Sequence, residues 1–178
     1  MKTVSSDIIW QGTSWRFRVD ELEAPNGQRL TKGVIEHPGA VVLVPVREGQ
    51  NGPEVLMLRQ YRLALAETIL ELPAGTRGWD EDWLACAQRE LREETGFRAD
   101  SLHCLGEIWP SPGVSSELMR LYLATGLQAA PLPGDVDEEI ELQPMPLADL
   151  VMMAQDGRLR DAKSIIGILK TAVFLNTP

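Results

Sequence analysis

The sequence predicts an α/β protein with a small antiparallel sheet ahead of its main sheet. Strand-like segments stand on both sides of a central helical segment, and two further helical segments close the chain. Turns rich in Gly, Pro and Asn separate these elements. The length of 178 residues suits one domain of ordinary size. We therefore expect a main domain at 38–178 and accessory strands at 1–37.

The N-terminal segment is expected to form the small sheet. Trp15, Phe17 and Val19 alternate with polar residues, which is the period-two pattern of a half-buried strand. A turn at 25–27 lets 29–36 return as a second strand. Because a two-stranded unit is marginal on its own, we expect it to pack on a further surface, for which another subunit is one candidate.

The rest of the chain is expected to supply the main sheet and three helices. The central helix should begin after a cap at Asp80 and end at Gly96, because glycine readily adopts the left-handed conformation that ends helices. The predicted strands are 40–46, 54–61, 102–109, 118–124 and 140–145, and the predicted helices are 81–95, 146 to about 157, and 162–175.

Composition argues against several classes of partner. With a net charge of −9, nucleic acid is not expected as a partner, because affinity for its phosphates comes mainly from Lys and Arg. No apolar run approaches the roughly 20 residues of a membrane helix, and the first residues lack the apolar centre of a secretory signal. Cys86 and Cys104 lie within a predicted helix and a predicted strand, where a free cysteine behaves as a small apolar residue, so both are expected to be reduced. We therefore expect a cytoplasmic protein that binds neither membranes nor nucleic acid.

Three glutamates of the central helix are the first candidates for chemistry. Glu90, Glu93 and Glu94 are spaced i, i+3 and i+4, so they are neighbours on one helix face. Two carboxylates about 5 Å apart repel by roughly 3 kcal/mol at an effective dielectric near 20. A magnesium ion, which takes oxygen ligands, would remove that conflict. The alternative is an exposed face on which Arg89 and Arg92 neutralise the glutamates.

The segment around these glutamates fits a fixed pattern, G-x5-E-x7-R-E-U-x-E-E-x-G-U, where U is a bulky aliphatic or aromatic residue. This pattern is the Nudix box. The segment resembles that family at nine specified positions, in the loop-helix-loop context that the family uses. The matching residues are Gly75, Glu81, Arg89, Glu90, Leu91, Glu93, Glu94, Gly96 and Phe97.

The resemblance implies roles for the residues of the box. Glu90 and Glu94 match the principal ligands of a divalent cation, expected to be Mg²⁺ with Mn²⁺ as an alternative. Glu93 matches a glutamate that assists an additional metal or supports the site, and Ala74 matches a residue that often gives a backbone carbonyl. Arg89 matches an arginine that holds a box glutamate in place, and an ordinary i to i+4 ion pair with Glu93 has nearly the same geometry.

Flanking segments are similar to the ADP-ribose pyrophosphatase branch of the family. These segments are 59–62, 71–75, 111–113 with its proline, and the closing stretch from 146 to 163. Among their residues, Arg59, Arg62 and Gly75 are expected to contact substrate. An ion pair is the alternative for the two arginines.

The acidic loop at 135–142 resembles a family element whose first glutamate lies in a loop over the site. That glutamate matches Glu138, which the resemblance makes the general base or the residue that holds the attacking water. Glu139 is its nearest competitor and is otherwise expected to contact substrate. Solvated loop charge is the alternative for Glu138.

The likeness extends over nearly the full chain and implies an α/β/α sandwich around a mixed sheet, arranged as a homodimer. The implied reaction is magnesium-dependent hydrolysis of the pyrophosphate bond of a nucleoside diphosphate sugar, with ADP-ribose giving AMP and ribose 5-phosphate as the leading case. Enzymes acting on GDP-mannose or other sugar nucleotides share much of the pattern. A non-catalytic nucleotide-sensing Nudix domain is the third interpretation, although such domains usually lose box glutamates and all of them are present here.

Overall fold

The computed structural model of the protein describes residues 1–50, 52–134 and 139–176. The strands are β1 (Lys2–Gln11), β2 (Arg16–Glu23), β3 (Arg29–Glu36), β4 (Ala40–Gly49), β5 (Gly52–Arg62), β6 (Glu67–Glu71), β7 (Ala74–Thr76), β8 (Phe97–Ile108), β9 (Met119–Ala129) and β10 (Ile140–Pro146). The helices are α1 (Trp83–Thr95), α2 (Leu147–Asp156) and α3 (Ala162–Asn176). Every predicted strand and helix is found, with ends that shift by up to about five residues, as at the start of β8 and the end of β9.

The main sheet is mixed, as expected. Its strand order is β10-β5-β4-β9-β8, with β6 paired to β5 and β7 paired to β4. β4 and β9 run parallel, whereas the other paired strands are antiparallel. β6 and β7 are absent from the sequence prediction, because strands of five and three residues are too short to show a periodic pattern.

Strand β4 separates two hydrophobic cores, because its side chains alternate between the two faces of the sheet. Val42 and Val44 belong to the core under α2 and α3, which includes Ile168. Val41 belongs to the core under α1, together with Leu91. The layers are therefore helix, sheet and helix, which confirms the expected α/β/α sandwich.

Helix α1 carries the box glutamates, and local contacts set both of its ends. The side chain of Asp82 accepts hydrogen bonds from two backbone N–H groups of the first turn, at 2.9 and 3.1 Å. The predicted cap at Asp80 is wrong by two residues, because the Glu81 N–H is bonded to the Gly78 carbonyl in a turn that precedes the helix. At the other end Gly96 has φ of 79°, the left-handed conformation that its sequence position predicts.

The accessory sheet has three strands in the order β1-β2-β3, one more than the sequence predicts. β1 is exposed along its whole length and its register with β2 shifts at two places, so its sequence shows no burial pattern. The sheet is joined to the main domain at Ile35. The Ile35 N–H donates to the Val114 carbonyl at 2.8 Å, and the Ile35 carbonyl accepts from the Ser116 N–H at 2.9 Å.

Helix α3 contributes to the core on one face of the main sheet. Its buried side includes Ser164, Gly167 and Ile168, and it packs on the main sheet. Gly167 allows a close approach, because a Cβ atom there would lie 2.6 Å from a methyl group of Leu72. Within the described ranges, no helix is both long and apolar enough to cross a membrane.

Candidate active site

Two of the three helix glutamates are buried between α1 and the main sheet. Glu90 and Glu94 are each 9% exposed. The backbone N–H of Ala74 in β7 donates to a carboxylate oxygen of Glu94 at 2.9 Å. Glu93 is more accessible, with 22% of its side chain exposed. An ordinary solvated face, the alternative left open by the sequence, therefore does not describe Glu90 and Glu94.

The absence of a side chain at Gly75 makes room for the Glu90 carboxylate. A Cβ atom at Gly75 would lie 1.8 Å from the Cδ atom of Glu90 and 2.1 Å from each of its carboxylate oxygens. No side chain fits at such a distance. Gly75, the first residue of the box, and Glu90, the glutamate that follows its arginine, are thus in direct contact although they are far apart in sequence.

Arg89 lies at the centre of a group of carboxylates. Its guanidinium donates two hydrogen bonds to Glu81, at 2.8 and 2.9 Å. Its Nη1 atom also donates to Glu90 at 2.7 Å and to Glu93 at 2.9 Å. Hydrogen bonding to Arg89 lowers the pKa of Glu81 to about 2, and a hydrogen bond from the Gly78 N–H acts in the same direction. Glu81 therefore has a structural partner, and Arg89 makes both the i to i+4 ion pair and the contact with Glu90 that the sequence left as alternatives.

The chemistry of these side chains fits a magnesium ion. Glu90, Glu93 and Glu94 offer carboxylate oxygens, the ligands that this hard cation takes, on one face of a rigid helix. In the part of the chain that the structure describes, no three acidic, histidine or cysteine side chains converge as a metal site. Glu90 and Glu93 instead bond to Arg89, and Glu94 bonds to the Ala74 N–H. Binding one ion between all three glutamates would require their carboxylates to converge on it.

A cavity of about 560 Å³ opens beside this carboxylate group. Ala74 and Gly75 line it, and Arg62 and Glu117 line it as well. The cavity therefore combines the strand that contacts the buried glutamates with one of the two arginines expected to contact substrate. It is also lined by Ser14, in the turn between β1 and β2, so the accessory sheet of the same chain reaches it.

The structure separates the two arginines that the sequence treats together. Arg59 and Arg62 are three residues apart in β5, and side chains at an odd spacing in a strand point to opposite faces. Arg59 lines a second cavity of about 500 Å³, together with Glu139. Arg62, Ala74, Gly75 and the helix glutamates thus form one group, and Arg59 and Glu139 form another. Glu138 lies outside the described residues.

Glu117 is a cavity residue that sequence reasoning missed. Burial raises the pKa of Glu117, and an oxygen of its carboxylate lies 3.9 Å from Nε2 of His37. The Nδ1 atom of His37 accepts a hydrogen bond from the Gly39 N–H at 3.1 Å, so a neutral imidazole carries its proton on Nε2, towards Glu117. Burial also lowers the pKa of His37. Glu117 follows a Ser-Pro-Gly turn and is a single acidic residue, so no periodic or motif signal marks it.

Comparison with known proteins identifies the family of the chain. The chain matches the family model described as NUDIX domain over residues 36–166. It is 32% identical to an ADP-ribose pyrophosphatase of Bacillus subtilis (strain 168), over 94% of this chain and 90% of that protein. It is 34% identical to a methanol dehydrogenase activator of Bacillus methanolicus, again over 94% of this chain and 90% of that protein.

Two further likenesses bear on substrate class and fold. A GDP-mannose pyrophosphatase of Citrobacter koseri (strain ATCC BAA-895 / CDC 4225-83 / SGSC4696) is 34% identical over 72% of this chain and 70% of that protein. A solved structure described as an ADP compounds hydrolase superposes with a TM-score of 0.82, at 23% identity, over 98% of this chain and 93% of that chain. At that identity the superposition supports the fold alone.

The mixed sheet between two helical layers and the buried carboxylates of α1 beside a cavity form the arrangement that the Nudix resemblance implies. With the family match over most of the chain, the protein belongs to the NUDIX family and is a Nudix hydrolase similar to ADP-ribose pyrophosphatases.

The contact between Gly75 and Glu90 gives a direct test of the site. Gly75→Ala should lower the affinity for Mg²⁺ by about 10- to 100-fold, because the added methyl group displaces the Glu90 carboxylate. Titration calorimetry with Mg²⁺ measures this effect. Gly113→Ala is the matched control, because a Cβ atom at Gly113 meets nothing within 4 Å. Equal Mg²⁺ affinity in the two variants would contradict a ligand role for Glu90.

Proposed function

We propose that the protein hydrolyses the pyrophosphate bond of a nucleoside diphosphate sugar in a magnesium-dependent reaction, with ADP-ribose as the preferred substrate. The observation that carries the proposal is the pair of buried carboxylates, Glu90 and Glu94, next to a cavity that also contains Arg62. Relatives with the name ADP-ribose pyrophosphatase are 32% and 34% identical to the chain over 94% of its length, which supports the choice of substrate.

In the proposed reaction a water oxygen attacks one phosphorus of the pyrophosphate and the bridging P–O bond breaks. With ADP-ribose the products are AMP and ribose 5-phosphate. Glu90 and Glu94 would hold magnesium, with Glu93 and the backbone carbonyl of Ala74 as further ligands; Mn²⁺ is an alternative ion. When bound, the metal supplies charge neutralisation and a more acidic water.

The remaining residues bind and orient in this proposal. Arg62 contacts a phosphate oxygen, and Gly75 contributes a backbone contact to the substrate from the cavity wall. Arg89 holds the glutamates, because it already bonds to Glu90 and Glu93. Arg59 and Glu139 lie together at a second cavity, so their contacts with substrate would be to a part distant from the carboxylate group.

A substrate panel tests the reaction and separates the alternatives. The purified protein is supplied with ADP-ribose, GDP-mannose and other sugar nucleotides, with and without Mg²⁺, and release of AMP and GMP is measured. Faster release of GMP than of AMP would make GDP-mannose, and not ADP-ribose, the preferred substrate. Absence of hydrolysis from the whole panel would favour nucleotide sensing.

The variant Glu94→Gln tests the ligand assignment. It should keep the fold and lower turnover at least about a hundredfold, because a neutral amide is a poor ligand for Mg²⁺. Normal turnover of this variant at low Mg²⁺ would remove the ligand assignment.

The water-activating residue is proposed to be Glu138. Glu138→Gln should lower kcat by about 10² to 10⁴ with nearly unchanged affinity for Mg²⁺ and substrate, the range typical of losing a general base. Glu139→Gln is the matched variant one residue away, and its kcat should change little. The reverse pattern would move the role to Glu139, and no effect from either variant would leave water activation to the helix glutamates and the metal.

We further propose that the protein is a homodimer joined through the accessory sheet. β1 is exposed along its length and carries large apolar residues, with Ile8 52% exposed, Ile9 62% and Trp10 49%. Apolar surface of this kind on an edge strand is typical of an interaction site.

Removal of residues 1–36 tests the dimer. The truncated chain should be a monomer with low activity, because the accessory sheet reaches the cavity at Ser14 and holds the segment before Glu117 at Ile35. Light scattering coupled to size exclusion gives the mass, and the substrate panel gives the activity. A fully active monomer would refute a role of the accessory sheet in dimer and cleft.

A further inference from the structure

A cluster of charged side chains surrounds Arg62 and lines the same cavity. Its centre is Glu71, the last residue of β6, which is fully buried. Arg62 donates from Nε and Nη2 to the two carboxylate oxygens of Glu71, at 2.8 and 2.9 Å. The Nζ atom of Lys163 donates to one of the same oxygens. Glu71 is thus shared between two cations.

The cluster extends into the start of α3. Lys163 is 8% exposed and donates a second hydrogen bond to Asp161 at 3.0 Å. The same Asp161 oxygen accepts from the backbone N–H of Ser164 at 3.1 Å. The hydroxyl oxygen of Ser164 in turn accepts the Leu72 N–H at 2.7 Å. Lys163 is therefore held by its own bonds to Glu71 and Asp161. The start of α3 that carries it is also bonded, through Ser164, to the backbone of Leu72.

The energetics of burial indicate that this cluster has a role besides stability. Removing charges from water costs several kcal/mol for each ion, and well-packed apolar residues of similar volume are often as stable as a buried ion pair. The described chain nevertheless places Arg62, Glu71, Asp161 and Lys163 together, and all four line the cavity beside the helix glutamates. Glu71 and Lys163 are buried and Asp161 is partly buried, whereas Arg62 exposes 37% of its side chain.

The ion pairs around Glu71 bear on how Arg62 can contact an anionic ligand. Because Lys163 also bonds to Glu71, the carboxylate is shared between two cations and Arg62 is not its sole counter-charge. Lys163 is also paired with Asp161, so the four side chains together are neutral. The bidentate geometry also fixes the plane of the guanidinium.

We propose that Glu71 and Lys163 are positioning residues, which hold the Arg62 guanidinium in the orientation that binds a phosphate oxygen of the substrate. The proposal rests on the proposed function, since it assumes a pyrophosphate substrate. Neither residue needs to touch the substrate for this role. Substitution of either residue should weaken substrate binding when Arg62 is present and should have little effect when Arg62 is absent.

The chain offers a matched control pair between the same elements. Arg160 pairs with Glu67, and these residues belong to the same two regions, the start of α3 and strand β6. Their side chains are 67% and 52% exposed, and neither lines the cavity beside Arg62. An exposed ion pair contributes little, so Glu67→Gln and Arg160→Met should leave kcat/KM within about twofold.

A double-mutant cycle separates positioning from general structural damage. With ADP-ribose and Mg²⁺, Glu71→Gln should lower kcat/KM by about 10- to 100-fold, mostly through KM, because a contact with the charged guanidinium is lost in the substrate complex. In the Arg62→Ala background the same change should alter kcat/KM by less than about twofold. Lys163→Met goes through the same cycle with the same expectation, so failure of one variant to fold leaves the other decisive.

Additive effects in the two backgrounds, or an unchanged KM in both single variants, would overturn the positioning role. Unfolding midpoints are measured for every variant, and a stability loss with unchanged KM counts against the proposal. The unmodified protein distinguishes the two levels of inference. If it hydrolyses no sugar nucleotide, the proposed function fails; if it does so and the cycle is additive, the function stands and the positioning role is wrong.

Discussion

The hydrogen bond from the Ala74 N–H to Glu94 joins the acidic face of α1 to the main sheet, and the arrangement of the cavity depends on this contact. A helix that buries carboxylates needs a donor on the opposing surface, because an unpaired buried charge is costly. Strand β7 supplies that donor, and Gly75 next to it removes the side chain that would collide with Glu90. Three residues of strand thereby fix where two glutamates lie relative to the cavity.

Both sides of the cavity use the same physical solution for buried acid groups. On the α1 side, Arg89 bonds to Glu81, Glu90 and Glu93. On the other side, Glu71 is compensated by two cations from different elements. In each case one side chain bonds to several partners of opposite charge. Such networks hold side chains in single orientations, which suits a site that must present several groups to one substrate.

Much of the fold could be predicted from the sequence, since period-two alternation and helix ends are local signals. β2 and the Gly96 end of α1 are examples. β7 and the Asp82 cap could not be predicted as readily, because a three-residue strand has no period and Asp80 and Asp82 are equivalent by composition. Whether a short segment such as β7 forms a strand depends on the strand it pairs with, and that strand, β4, comes from a distant part of the chain.

The candidate site divides in the same way. The box glutamates were found because helical spacing places them together, and their burial agrees with the sequence argument against a plain surface face. Glu117 and Lys163 reach the cavity only through the tertiary arrangement, and neither lies in a pattern with a chemical meaning of its own. The difference between Arg59 and Arg62 follows from strand alternation, which becomes usable once the extent of β5 is known.

The bridge at Ile35 has a mechanical consequence for the cavity. The two backbone hydrogen bonds make β3 and the segment before Glu117 a single backbone unit, as in neighbouring strands of a sheet. Glu117 therefore lies one residue from a direct bond to the accessory sheet, whereas Glu90 and Glu94 lie on α1. A change in the position of β3 would be transmitted through this bridge to the segment that carries Glu117 without passing through α1.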